Sequence, residues 1–181
     1  AGHVRRIAVP VSLFLMTAAS YGAATTFVPV AVPEPVLSSL ALLAGACALV
    51  LGRLGAGFLG DRYGNGRLLL ASVLCCAAGL VLVAVALRGM GTLLVGGAAL
   101  LGAGFGACQN DSFVATIQRL GDGRGGTAST IWNIAYDGGL GLGAVALGGI
   151  IARAGYATAL LAMAAAIGAV ALLLSWIPRR H

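Results

Sequence analysis

Six apolar runs, each about 20 residues or longer, dominate this chain. A helix rising about 1.5 Å per residue crosses the roughly 30 Å hydrocarbon core of a bilayer in about that length. The runs lie at about 7–30, 36–60, 68–87, 92–117, 127–151 and 154–177. Breaks with turn chemistry separate them: Ala31 to Pro35 with two prolines, Asp61 to Arg67 with two glycines, Arg88 to Gly91, Gln118 to Gly126, and Arg153 to Gly155. Hydrocarbon offers the backbone no hydrogen-bond partner, so such runs must fold as helices. The chain is 60% hydrophobic and 9% charged, against about 25% charged in a soluble domain. The expected fold is an all-α integral membrane bundle of six transmembrane helices filling residues 1–181.

All 11 basic residues are arginine, scattered singly or in pairs, so they mark topology and offer no stripe for nucleic acid. Arg5, Arg6, Arg62, Arg67, Arg119, Arg124, Arg179 and Arg180 fall on one side of the six spans, and Arg88 and Arg153 on the other. Cytoplasmic loops carry the positive excess, so both termini are expected in the cytoplasm. The cysteines Cys47, Cys75, Cys76 and Cys108 sit inside apolar runs without zinc-ligand spacing and read as small core residues. No cofactor or metal is expected. The chain opens at Ala1 without a methionine, which reads as a piece of a longer polypeptide.

Polar residues are distributed unevenly. The first run carries Thr17, Tyr21 and Thr25, the second Ser38, Ser39 and Arg53, the fourth Gln109, Asn110, Asp111 and Ser112, and the fifth Thr130, Asn133, Tyr136 and Asp137. The third and sixth have no charge and almost nothing polar. Polar groups in membrane proteins face the bundle interior or a wet cavity. The order polar, polar, apolar, twice over, is what two three-helix repeats would produce, the third member of each facing lipid.

Asp137 falls near the bilayer midplane of the fifth run, where a carboxylate costs about 2.5 to 3.5 kcal/mol and desolvation favours its protonated form. A proton-coupled carrier needs such a group, while a structural carboxylate bonded to a neighbouring helix would also fit. Thr130, Asn133 and Asp137 share one helix face. Asp111 lies near the cytoplasmic interface and reads as a partner for Arg53 or Arg119. Gly102 with Gly106, and Gly139 with Gly143, have the small-xxx-small spacing of closely packed membrane helices. No strand precedes the glycines at 102, 104 and 106, so a dinucleotide site is not indicated.

The stretch GRLGAGFLGDRYGNGR, residues 52–67, resembles the cytoplasmic loop motif of the major facilitator superfamily, in the copy joining the second and third helices of the C-terminal half. Gly57, Asp61, Arg62, Gly64 and Arg67 carry the likeness, while Asn65 and Gly66 depart from it. Segments 104–111 and 129–143 resemble the fourth and fifth helices of that half in bacterial exporters. The resemblance implies a gate: small residues pack the helix ends, Asp61 accepts hydrogen bonds from a neighbouring helix N-terminus, and the arginines bind headgroups. It also implies a cavity lined by helices one, two, four and five.

These expectations converge on half of a secondary transporter in a bacterial plasma membrane. Asp137 is the proton-coupling candidate, and Thr17, Tyr21, Thr25, Gln109, Asn110, Asn133 and Tyr136 are the candidate cavity residues. The implied activity is proton-coupled efflux of small amphipathic molecules. The implied partners are the substrate, protons, the bilayer, and a missing six-helix half or a second copy. Uptake of a sugar or metabolite, and a non-transporting assembly subunit, are the alternatives. An enzyme is not expected: the only histidines are His3 and His181, and no zinc-binding or intramembrane protease signature is present.

Overall fold

The structure, a computed structural model, describes the backbone of residues 2–64 and 68–175 and the side chains of 7–64 and 68–173. Arg67, Asn65 and Gly66 of the loop motif lie outside the described residues. So do the side chains of His3, Arg5, Arg6, Arg179, Arg180 and His181. The described residues form six helices: α1 Gly2–Ala31, α2 Pro35–Tyr63, α3 Leu69–Ala86, α4 Leu93–Leu120, α5 Gly125–Ala154 and α6 Tyr156–Ser175. All six are long and apolar enough to cross a membrane. The described residues form an all-helical bundle with the dimensions and apolarity of a multi-pass membrane protein.

The helices overrun the apolar runs at their polar ends. α1 begins at Gly2, because the backbone stays helical through Arg5 and Arg6. α2 continues to Tyr63, so Asp61 and Arg62 lie on its last turn and not in the loop where the sequence placed them. Their charge ends the apolar run without ending the helix. The stop comes at Gly64, whose N–H donates to Gly60 O at 2.9 Å and whose φ of 95° suits only glycine. At its other end, α2 opens with Pro35 in the first turn, where a missing N–H leaves no bond unmade. A single residue, Gly155 at φ 79°, links α5 to α6.

Glycine sets the helix pairing. α2 runs parallel to α4, in register from Gly45 beside Gly102 to Arg53 beside Gly106. α5 runs parallel to α1, from Leu15 and Ala18 beside Gly139 to Phe27 beside Gly148. A Cβ on Gly102 would overlap Gly45 O, one on Gly106 would overlap Leu49 O, and one on Gly143 would overlap Ala19 O. Both small-xxx-small pairs thus sit where backbones touch. α3 lies antiparallel along α4, with Gly79 against Leu101 and Gly104 against Ser72 and Cys76. α6 packs on α3, with lesser contacts to α1 and α5.

The core forms where α1, α3 and α4 meet, around Phe14, Phe105, Leu80, Leu94, Val73 and Val83. Cover is unequal: 61% of the apolar window of α1 is buried, against 17% for α2 and 22% for α5. α3 is half-buried and presents only a stripe, Ala71, Leu74, Ala78 and Val81, on the outside. Its lack of polar groups reflects packing against α4 and α6 as well as exposure, a distinction that hydropathy cannot draw. Cys76 and Cys108 are core residues, whereas Cys47 is exposed on α2 and Cys75 is half-buried.

Candidate functional site

The least covered helices carry charges. Arg53 and Asp61 are exposed on α2, and Thr130, Asn133 and Asp137 are exposed on α5. Asp137 is the thirteenth residue of the 30 in α5, near the helix centre as expected, but its own chain does not bury it. Asn133 turns back to its own helix, with Nδ2 donating to Ser129 O at 2.9 Å. Thr130 likewise donates to Gly126 O at 3.0 Å. This stripe offers Asp137 no interhelical partner among the described residues.

On the other flank an open cleft of about 540 Å³ lies along α2, lined by Leu49, Val50, Arg53, Leu54, Gly57, Phe58 and Asp61, with Asn110 from α4. Arg53 Nη1 donates to Gln109 Oε1 at 3.4 Å, a neutral partner; the sequence offered Arg53 or Arg119 as the partner of Asp111. Gly57 borders open space: a Cβ at this position would meet nothing within 4 Å, so the residue packs no helix end within this chain. Arg62 extends over the Tyr63 ring at 5.6 Å.

No protein-family model, curated protein or solved structure matches this chain. Of the expected cavity residues, Asn110 lines the cleft and Asn133 lies on the uncovered face of α5. Thr17 and Gln109 are buried within the bundle. Thr17 is fully buried, donating to Phe14 O at 2.9 Å and Cys108 Sγ at 3.3 Å, and Gln109 is 4% exposed. Tyr21 and Thr25 border a small apolar recess of about 20 Å³ beside Gly45 and Leu101, too small for a solute.

Tyr21 and Tyr136 belong to an aromatic layer that was not expected from the sequence. Trp132 stacks on Phe14 with centroids 4.6 Å apart, Phe14 on Phe105 at 6.1 Å, and Tyr21 on Phe105 at 4.7 Å. Tyr136 stacks on Trp132, and Phe113 meets Trp132 edge-on. Six of the chain's 11 aromatic residues gather here. Their spacing, seven between Phe14 and Tyr21 and four between Trp132 and Tyr136, was a usable signal. Trp132 Nε1 donates to Ser112 Oγ at 3.2 Å, tying α5 to α4. Trp132→Phe keeps the stack and loses that bond, for an expected cost of about 1 kcal/mol. Trp132→Ala also removes the ring, at about 3 kcal/mol. Denaturation in mixed detergent micelles separates them, and equal losses would argue that the ring does not pack as seen.

At the motif end, a second carboxylate meets a helix N-terminus. Asp111 is fully buried, and its Oδ2 accepts the Leu68 N–H at 2.9 Å, at the N-terminus of α3. Asp61 was expected to meet a neighbouring helix N-terminus; within this chain it faces the cleft. Among the described residues no group of three or more His, Cys, Asp or Glu gathers to hold a metal ion.

Proposed function

We propose that this chain is a six-helix half of a secondary transporter of the major facilitator superfamily, working by alternating access. The observation that carries the reading is that α2 and α5, the two helices least covered by their own chain, expose Arg53, Asn133 and Asp137 within their spans, and Asp61 at the end of α2. Ionised and amide groups at bilayer depth do not face lipid; they face protein or a water-filled cavity. A second six-helix unit laid against these helices would cover them and enclose water between the two. The packing supports the same reading. Exchanging the first three helices with the last three maps the α2–α4 pair onto the α5–α1 pair, and both are parallel and glycine-mediated. The loop motif at 57–67 adds its resemblance.

In this reading both termini lie in the cytoplasm of a bacterial plasma membrane, and protons drive efflux of small amphipathic molecules. Asp137 takes up and releases the proton as the open face alternates between the two sides of the membrane. Asp137→Asn keeps the shape and removes the titration. In proteoliposomes loaded with a pH dye, the native polypeptide should show proton flux on addition of a transported compound. Asp137→Asn should lose at least about 90% of that flux while retaining solute exchange at equal pH. Wild-type flux in Asp137→Asn would remove the coupling role. If the wild-type protein exchanged no compound in a panel of amphipathic anions, cations and neutral solutes, the transport reading itself would fail.

A further inference from the structure

We infer that the cleft on α2 takes the acid group of an organic anion, with Arg53 as its anchor, so that the substrate is an amphipathic carboxylate or similar anion. This rests on the transporter reading only for what happens after binding. Arg53 is four residues past the centre of α2, about 6 Å along the axis, and so lies well inside the hydrocarbon span. A guanidinium keeps its charge at any accessible pH. Its partner among the described residues is the neutral Gln109 Oε1, at a long 3.4 Å. A cation held at that depth by one weak neutral bond stays ready for an anion, and a carboxylate can take two of its N–H donors at once.

The rest of the cleft fits the same ligand. Asn110 adds an amide donor beside Arg53, and Leu49, Val50, Leu54 and Phe58 supply an apolar wall, with Phe58 75% exposed. The volume of about 540 Å³ is that of an ordinary small-molecule site. Asp61, eight residues and about 12 Å of rise from Arg53, stands at the end nearer the loop. It disfavours an anion held at that mouth and favours one seated deep, at Arg53. A phospholipid headgroup has Arg62 nearer its own level, at the last turn of the helix.

The test is equilibrium binding to the native polypeptide in nanodiscs, with phenylacetate and phenethylammonium as probes of matched shape and opposite charge. Phenylacetate should bind and phenethylammonium should not compete. Arg53→Gln should weaken phenylacetate at least tenfold, Arg53→Lys only a few-fold, and Asp61→Asn should tighten it. Helix content by circular dichroism and a single gel-filtration peak establish that each variant is folded. Absence of phenylacetate binding, equal binding of the cation, or an unchanged affinity in Arg53→Gln overturns the inference. Competition by a short-chain phosphatidylglycerol added at fixed bilayer composition assigns the cleft to lipid headgroups and overturns it too. Because no step requires transport, anion binding without solute flux would leave this inference standing and remove the transporter reading. Flux that is independent of Arg53 would do the reverse.

Discussion

Gly106→Ala should destabilise the folded protein by about 1–3 kcal/mol, toward the top of the range for an overpacked core. The added methyl would overlap Leu49 O and crowd Arg53 N. Both are backbone atoms of α2, so no rotamer change relieves the clash; the two helices must separate. Separation would also loosen Gly102 from Gly45 and Gly52 from Ala103, because all these contacts lie on one parallel interface. Membrane helices lack a hydrophobic drive to associate, so close backbone packing is the main attraction available to this pair. Gly55→Ala, one turn from Gly52 on the same helix, is the control. Nothing lies within 4 Å of its added methyl, and replacing glycine in a helix removes a penalty of up to about 1 kcal/mol. Unfolding in mixed micelles should therefore rank Gly55→Ala at or above wild type and Gly106→Ala well below. Equal stabilities would mean that α2 does not pack on α4 at this distance.

The spans were legible because length and apolarity alone decide them, and the two glycine pairs because close approach requires a missing side chain at four-residue intervals. Partner choice was not legible. The spacing of Gly102 and Gly106 says that some backbone comes close, and only the fold identifies it as that of α2. Polarity sorted the helices by chemistry, but it could not rank their cover: α3 is apolar and half-buried, while α2 carries charge and is mostly bare. Thr17 and Gln109 look like cavity residues by composition, yet each spends its hydrogen bond across or along helices inside the bundle. The aromatic layer escaped because Phe14 and Phe105 lie 91 residues apart in sequence, and each alone is an ordinary core side chain.

Asp111→Ala should cost about 2–3 kcal/mol, whereas Asp61→Ala should change stability by less than about 0.5 kcal/mol. By sequence the two carboxylates are alike, each in the C-terminal half of its helix, and the loop motif drew attention to Asp61. Their surroundings separate them. Asp61 is exposed beside the cleft, so water or a partner unit can replace whatever its removal takes away. Asp111 is fully buried and accepts the Leu68 N–H, one of the donors that the first turn of α3 cannot satisfy within the helix. Its negative charge also lies at the positive end of the α3 dipole. Removing the carboxylate leaves that part-buried N–H without its acceptor. Asp111→Asn keeps an acceptor oxygen and should recover about half of the loss. If Asp61→Ala proved the more damaging, the N-terminus of α3 would not be held from α4. Loss confined to transport in Asp61→Asn, with stability intact, would instead place Asp61 at a moving contact with a second unit, as the loop motif implies.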